Sequence, residues 1–374
     1  MDKKILVTST DLMMIQFLVP HIINLSLNGY DVDIACSNVG NRIDEIRLKL
    51  QPYVKAMHIV HLHRSPLKLD NFNGYKELRR IIDDGNYNVI WTNEPVMSVV
   101  TRLAAKNSRK KGTKVLYMVH GFHFFNGAPK KNWIVYYPIE KMMASKADII
   151  CTVNKEDFKI AKTFNVNRVE YIHGIGINTD RLTKDKKCRS IREELNLPSD
   201  SFIVLSVGEL NKNKNQKVII EALNKLSDKK IHYALCGKGD QLEYLQSLVS
   251  SFGLDGNVHF LGYRNDVVDI CSQANVFVMP SLREGLPVAS LEAMYCGLPL
   301  ITSNIRGLSD IMKDGVTGYL ADPYDCSTFA NSIKKIKDSE NLVKIFSQNN
   351  KKIVLPFCIK NTEKELFNII NSLI

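Results

Sequence analysis

Residues 276–297 read VFVMPSLREGLPVASLEAMYCG, a strand pattern followed by a helix pattern. Its apolar start predicts a strand, and Pro287 fits the first turn of a helix that ends before Gly297. Glu284 then lies on the loop before the helix, and Glu292 lies inside it. Because the N–H groups of a first helical turn attract anions, this arrangement predicts a pocket for a phosphorylated, hydroxyl-rich ligand. Two solvated glutamates would fit the same spacing.

Short β-branched runs alternate with helical patterns along the whole chain. The strands predicted from these runs lie at 5–7, 32–35, 89–91, 115–119 and 149–153, and then at 202–207, 232–236, 258–261, 276–279 and 300–302. Residues 16–28, 75–84 and 363–374 have helical patterns. This alternation predicts two doubly wound parallel sheets in series, each with ligands at the carboxyl ends of its strands.

Composition describes a globular protein rather than a membrane-spanning one. The chain has 374 residues, 45% of them hydrophobic and 24% charged, and no apolar run approaches the roughly 20 residues of a spanning helix. Its eight cysteines form no C-x-x-C pair, which indicates reduced thiols in the cytoplasm. His61 and His63 share a face of a possible strand, but no third ligand is evident, so we expect no metal site.

The positive charge is concentrated in the first half. Residues 1–165 contain 24 basic and 15 acidic residues, whereas residues 166–374 contain 26 and 24. Lysines also precede the Trp-, Tyr- and Met-containing segment 132–143. This pattern suits docking at the inner face of the plasma membrane, although solvated lysines and a core-packing helix fit it equally. The basic clusters lack interleaved aromatic residues, so no nucleic-acid partner is expected.

Three further strand ends carry glycine and polar side chains. Gly208 is followed by a polar loop that contains Lys214, which is placed to neutralise a phosphate beside a helix start. The Gly237-Lys238-Gly239 turn would allow a ligand to approach the backbone closely. Gly262 precedes Tyr263 and Arg264, where a flat base could meet the protein. All these ends reach one crevice if the sheet is parallel.

The order of these motifs resembles that of the family 4 glycosyltransferases, retaining enzymes of the GT-B fold with two Rossmann-like domains facing a central cleft. The resemblance rests on the Gly208–Lys214 loop and on segments 236–239, 260–262, 279–281 and 284–293, supported by 119–124, 174–180 and 307–320. It covers nearly the whole chain and is closest to bacterial members that build capsular, exopolysaccharide or O-antigen repeat units. It implies an acceptor-side domain (1–171), a linker (172–182), a nucleotide-sugar domain (183–354) and a C-terminal helix (355–374) returning to the first domain.

The resemblance also implies residue roles. Lys214 would bind the donor diphosphate, Glu292 the ribose hydroxyls, and Glu284 the transferred sugar. His120 would reach the sugar or the reacting centre from the first domain. The catalytic set is then Glu284, His120 and Lys214. The donor site would comprise Gly208, Lys214, Gly262, Tyr263, Arg264, Gly285, Leu286, Pro287 and Glu292.

Two positions depart from the family pattern. Glu209 stands where the family usually has an arginine, so Lys214 lacks its usual partner, and Lys212, Arg283 or Arg306 could take that place. The loop at 8–14 also lacks the family's paired glycines, which leaves the acceptor-side phosphate contacts undefined.

The sequence thus predicts a retaining hexosyltransferase that uses a nucleotide sugar, with UDP as the expected nucleotide, and needs no metal or other cofactor. Its acceptor would be a hydroxyl of a lipid-diphosphate-linked glycan. An epimerase of the same fold acting on a UDP-sugar, a basic membrane- or nucleic-acid-binding protein, and an inactive carbohydrate-binding relative are the alternatives.

Overall fold

The computed structural model describes residues 3–10, 12–38, 43–63, 65, 68–182 and 190–374. The chain divides into an N-terminal unit, formed by Met1–Gly176 and Ile359–Ile374, and a C-terminal unit, Ile177–Cys358. Each unit is a parallel sheet with helices on its faces. The predicted pair of doubly wound domains is therefore confirmed.

The N-terminal unit has the strand order β3-β2-β1-β4-β5-β6-β7, all parallel. Its strands are β1 Lys3–Ser9, β2 Tyr30–Cys36, β3 Ala56–Ile59, β4 Val89–Asn93, β5 Lys114–Val119, β6 Ile149–Thr152 and β7 Arg168–Tyr171. Its helices are α1 Leu12–Leu27, α2 Ile43–Leu50, α3 Asp70–Gly85, α4 Pro95–Ala104, α5 Lys106–Lys110, α6 Lys130–Ala144, α7 Lys155–Ala161 and the C-terminal α17 Ile359–Asn371.

The C-terminal unit has the order β10-β9-β8-β11-β12-β13, also parallel. Its strands are β8 Phe202–Val207, β9 Ile231–Cys236, β10 Val258–Gly262, β11 Val276–Met279, β12 Leu300–Ser303 and β13 Gly318–Ala321. Its helices are α8 Thr179–Leu182, α9 Ile191–Glu194, α10 Lys217–Leu226, α11 Leu242–Ser251, α12 Val267–Gln273, α13 Val288–Tyr295, α14 Leu308–Ile311, α15 Cys326–Lys337 and α16 Glu340–Ile353, with a 3₁₀ turn at Leu355–Phe357.

The central strands β8, β9, β11 and β12 of the C-terminal sheet are buried on both faces, which is why they read as continuous apolar runs. Alternate residues of β8 enter different cores: Val204 packs on one face of the sheet, and Ile203 and Leu205 on the other. The same alternation separates Val278 from Phe277 in β11. Two apolar layers therefore hold this sheet rigid, and its strand-end loops start from fixed positions.

Helix α17 returns to the N-terminal unit, as expected. It packs against α1, and Phe367 makes an edge contact with the ring of Tyr30 at a centroid distance of 6.1 Å. Midway along α17, Glu365 Oε2 accepts a hydrogen bond from the His173 backbone N–H at 2.9 Å. The C-terminus is therefore part of the core of the first domain.

Three edge strands were not predicted, namely β3, β7 and β13. Each has four residues and only one sheet neighbour, so its pattern is short and partly polar. Because β3 ends at Ile59, His61 and His63 lie beyond it, and their expected shared strand face was wrong. Among the described residues, no helix combines the length and apolar character that crossing a membrane requires.

A buried ion pair anchors α6 to the N-terminal core. Arg102 Nη2 lies 2.9 Å from Glu140 Oε2, and the Tyr117 hydroxyl donates to Glu140 Oε1 at 2.9 Å. Both members of the ion pair are almost completely buried. Burial, followed by the nearby charge of Glu140, raises the pKa of Tyr117, so this phenol stays a neutral donor.

We expect Glu140→Gln to lower the free energy of unfolding by about 3–5 kcal/mol, because it leaves the Arg102 charge buried without a counter-ion. Denaturant titration measures this loss. The control is Glu45→Gln, which removes an exposed i,i+4 partner of Lys49 and should cost less than about 1 kcal/mol. Equal losses in the two variants would contradict the structural role of the buried pair.

Candidate functional site

The strand order of the C-terminal sheet reverses between β8 and β11, and the two loops that leave this point carry Lys214 and Glu284. Such a reversal opens a crevice at the carboxyl ends of the strands, because successive loops turn away to opposite faces. Lys214 Nζ lies 2.7 Å from Glu284 Oε1 across it. The structure thus brings together two of the three residues expected to be catalytic.

Asparagine side chains hold these two loops together. Asn215 has φ of 53°, and its Nδ2 donates to the carbonyl oxygens of Pro280 at 3.1 Å and Pro323 at 2.7 Å. Asn213 Nδ2 donates to the Arg283 carbonyl at 3.0 Å. Since asparagine tolerates a left-handed conformation, it can make this turn and also bond the neighbouring strand end. Helix α10 starts at Lys217, directly after this loop.

Glycine backbone forms a platform beside Lys214. Gly208 N–H donates to the Cys236 carbonyl at 2.9 Å, and Gly237 N–H donates to the Gly262 carbonyl at 2.7 Å. A Cβ on Gly237 would lie 1.8 Å from the Gly208 carbonyl oxygen, so only glycine fits there. The Gly208 backbone also runs along the Lys214 side chain. The glycine platform therefore adjoins the Lys214 side chain.

The remaining predicted donor residues surround this platform. Tyr263 is exposed directly after Gly262. Arg264 forms a bidentate pair with Asp266 at 2.8 and 2.6 Å, and Glu194 holds it at 2.6 Å. Salt bridges thus fix the position of the Arg264 guanidinium. Hydrogen bonds to Asp266 and then to Glu194 raise its pKa further, so it stays charged.

Helix α13 follows the Glu284 loop and starts at Val288. Pro287 caps it from the residue before, instead of occupying the first turn as predicted, and its carbonyl accepts from Ser290 N–H at 3.1 Å. Gly285 and Leu286 complete the loop, and Glu292 lies half-buried within the helix, as expected. Gly297, with φ of 81°, follows the end of α13.

Glu209, the residue that replaces the usual family arginine, is exposed and accepts a hydrogen bond from Asn211 Nδ2 at 2.9 Å. Of the three cations considered as substitutes, Lys212 and Arg283 are exposed and Arg306 is buried. A Cβ on Gly307 would lie 2.3 Å from the Gly285 carbonyl oxygen. This close packing brings the neighbouring Arg306 to the Glu284 loop.

His120 lies in the N-terminal unit, at the carboxyl end of β5. Its Nε2 is 3.0 Å from Asn93 Oδ1, and Asn93 Nδ2 donates to the Thr8 carbonyl at 3.2 Å. Because Asn93 Oδ1 can only accept, this network assigns the proton to Nε2 and leaves Nδ1 as an acceptor. Burial, with a smaller contribution from His21, lowers the pKa of His120 to about 4. The imidazole is therefore neutral at physiological pH.

Glu94 is a candidate that the sequence analysis missed. It follows β4 at the point where the N-terminal strand order reverses between β1 and β4. Its Oε2 accepts from the Ser9 hydroxyl at 2.6 Å and from Thr10 N–H at 2.8 Å. Its φ of 62° with ψ of 148° is a strained conformation for a residue other than glycine, costing about 1–3 kcal/mol. The only signal in the sequence is its place between a strand end and Pro95.

Among the residues described, no group of three or more histidine, cysteine or acidic side chains has an arrangement that could hold a metal ion. The seven described cysteines are free thiols; Cys188 lies outside the described residues, as does Asp11 of the 8–14 segment.

Comparison with known proteins covers both units. Residues 6–154 match the family described as "Glycosyl transferase 4-like", and residues 188–353 match "Glycosyl transferases group 1". The chain is 35% identical to the putative glycosyltransferase EpsD of Bacillus subtilis, over 99% of this chain and 96% of that protein. It is 27% identical to the UDP-Gal:alpha-D-GlcNAc-diphosphoundecaprenol alpha-1,3-galactosyltransferase of Escherichia coli, over 90% and 87% of the two chains.

Among solved structures, Anabaena Alr3699/HepE in complex with UDP shares the fold, with a TM-score of 0.82, 17% identity and complete coverage of both chains. The two family matches lie one in each unit, and the match to the Bacillus subtilis protein spans both. This chain belongs to the family 4 glycosyltransferases.

Proposed function

We propose that this glycosyltransferase acts with retention, moving a hexose from a UDP-sugar to a hydroxyl of a lipid-diphosphate-linked oligosaccharide during synthesis of a bacterial surface polysaccharide. The observation that carries the donor half is the Lys214–Glu284 pair at the strand reversal, beside the glycine platform and the start of α13. The E. coli relative, named for a UDP-sugar donor and a diphosphoundecaprenol acceptor, supports the choice of substrates.

In the proposed complex, the donor diphosphate lies between Lys214 and the N-terminus of α13. Both carry positive charge and are in position before the reaction starts. They therefore stabilise the charge that develops on the leaving diphosphate without reorganising. The nucleoside rests on the glycine platform near Tyr263, and Glu292 accepts hydrogen bonds from the ribose hydroxyls. No step of this scheme requires a metal ion.

The transfer step breaks the bond between the anomeric carbon and the diphosphate oxygen. The acceptor hydroxyl oxygen bonds to the same face of that carbon, and its proton passes to the departing diphosphate oxygen. Glu284 and the N–H groups of Gly285 and Leu286 hold the sugar hydroxyls, and neutral His120 offers Nδ1 as an acceptor to the sugar. This assignment retains the anomeric configuration without a protein nucleophile.

A panel of UDP-, GDP- and ADP-sugars tests this function. We expect UDP and one UDP-sugar to raise the melting temperature, because these ligands bind the platform and Lys214 only in the folded protein. Slow hydrolysis of that donor, followed by NMR, should first release the anomer that the donor carries. Release of the opposite anomer would exclude retention, and no shift with any UDP compound would exclude the donor assignment.

We expect Lys214→Met to lower kcat about 10²–10³-fold, as removal of a leaving-group stabiliser does. Glu292→Ala should instead weaken UDP affinity about tenfold, the loss of one good hydrogen-bonded contact. Kinetics and calorimetry measure the two effects. Lys217→Met and Glu243→Ala, which remove exposed charges from neighbouring helices, are the controls. Wild-type values in both site variants would refute the assignment.

Glu94→Gln should reduce transfer to a lipid-linked oligosaccharide extract about tenfold while UDP affinity stays unchanged. The amide keeps the size of the side chain but weakens the acceptor of two hydrogen bonds that fix Ser9 and Thr10. Labelled-sugar transfer and calorimetry separate the two readouts. A parallel loss of UDP affinity would mean that Glu94 acts on folding rather than on the acceptor side.

A further inference from the structure

Helix α6 carries an exposed aliphatic stripe. Its members are Ile134, Val135, Ile139 and Met142, whose exposed fractions are 74%, 49%, 38% and 66%. Val135, Ile139 and Met142 follow Ile134 by one, five and eight residues, so the four side chains share one side of the helix. Exposed aliphatic side chains at such density mark an interaction surface in a folded protein.

The aromatic residues of α6 point away from this stripe. Trp133 Nε1 donates to the Phe125 carbonyl at 3.2 Å, Tyr137 makes an edge contact with Phe124, and Tyr136 stacks on His123 at 4.7 Å. Glu140 fixes the inner face through Arg102. Tyr136 and Tyr137 thus pack inward, Trp133 stays partly exposed, and Met142 lies in the stripe. The sequence-based expectation of a membrane contact by segment 132–143 stays a prediction.

Cations surround the stripe. Lys130 and Lys131 begin α6, and Lys141 lies along it. Where α6 ends, a groove of about 460 Å³ begins, and Arg109 Nη1 lies 3.5 Å from the Ser145 carbonyl at that end. The charged residues lining this basic groove are Arg102, Lys106, Arg109, Lys110, Lys114 and Lys146, with Asp148 as the one acid.

We propose that the α6 stripe and the basic groove together form a docking surface for an anionic phospholipid bilayer. The stripe enters the boundary between headgroups and acyl chains, and the groove binds lipid phosphates. A protein partner fits less well, because the cores of protein interfaces are depleted in lysine, whereas here lysines flank the apolar residues on both ends. The surplus of basic residues in the first 165 residues adds long-range attraction.

The surface also deepens the proposed function, on which this step rests. Helix α6 starts at the carboxyl edge of the sheet, and Asn132 Nδ2 donates to the His123 carbonyl at 2.8 Å. The loop that begins at His120 is thereby fixed to the helix. A bilayer bound along α6 would lie beside the edge that holds His120 and Glu94, where a lipid-linked acceptor would be presented.

Flotation with vesicles tests the proposal on the full chain. Wild type should bind vesicles of equal parts phosphatidylglycerol and phosphatidylcholine and should not bind phosphatidylcholine alone. Ile134→Gln with Met142→Gln should weaken binding roughly tenfold or more. The matched control is Leu27→Gln with Leu48→Gln, since both leucines are 73% exposed in the same unit. UDP affinity and melting temperature verify that each variant is folded.

The groove is tested separately. Lys106→Gln with Lys110→Gln should weaken vesicle binding roughly tenfold and reduce its salt dependence. Lys360→Gln with Lys364→Gln removes the same charge from the exposed side of α17 and should have little effect. Light scattering gives the oligomeric state of each variant.

Four results would overturn the proposal. The first is wild type that binds the phosphatidylglycerol-containing vesicles no better than phosphatidylcholine alone. The second is stripe and groove variants that bind vesicles like wild type, and the third is control pairs that lose as much binding as the test pairs. The fourth is a stripe variant whose only change is from dimer to monomer. Vesicle binding and UDP binding are independent readouts. A protein that binds vesicles but no UDP compound would refute the proposed function and not the docking surface.

Discussion

Each parallel sheet reverses its strand order at its centre, and this reversal sets where the loops of both units lie. Crossover connections between parallel strands are right-handed, so loops on either side of the reversal leave toward opposite faces and open a crevice. In the C-terminal unit, Lys214 and Glu284 meet across that point at 2.7 Å. The glycine platform and the start of α13 lie at the same edge because every strand of the sheet points the same way.

The two units use the same position for different chemistry. In each, a glutamate on the loop after the fourth strand in chain order reaches the loop after the first: Glu284 reaches Lys214, and Glu94 reaches Ser9 and Thr10. The first pairing contains a cation, which suits a diphosphate. The second contains a hydroxyl and a backbone N–H. This contrast agrees with a charged donor bound by one unit and a hydroxyl-bearing acceptor bound by the other, as proposed.

Central strands and strand-end motifs could be predicted because burial on both faces gives them an unbroken apolar signal, as in β8 and β11. Edge strands such as β13 could not, since one neighbour and four residues leave too little pattern. Lys214 and Glu284 could be predicted as site residues because both lie in motifs that resemble those of the family. Glu94 was not, because its position depends on a positive φ and on pairing between strands 85 residues apart. The direction of the α6 side chains likewise depends on packing against Phe124 and Arg102, which no local pattern encodes.

The Lys214–Glu284 ion pair also changes the meaning of Glu209. In the proposed complex, an arginine at 209 would share the diphosphate with Lys214, whereas Glu209 is exposed and accepts a hydrogen bond from Asn211. Without donor, Glu284 keeps the Lys214 ammonium at the crevice. In the proposed complex, the Lys214 ammonium exchanges the Glu284 carboxylate for the donor diphosphate, and Glu284 accepts hydrogen bonds from sugar hydroxyls. Because a partly buried ion pair contributes little net stability, this exchange costs little. Under this proposal, one cation preorganised by its own glutamate serves the diphosphate, and the packing of Gly307 against the Gly285 carbonyl keeps Arg306 near the same loop.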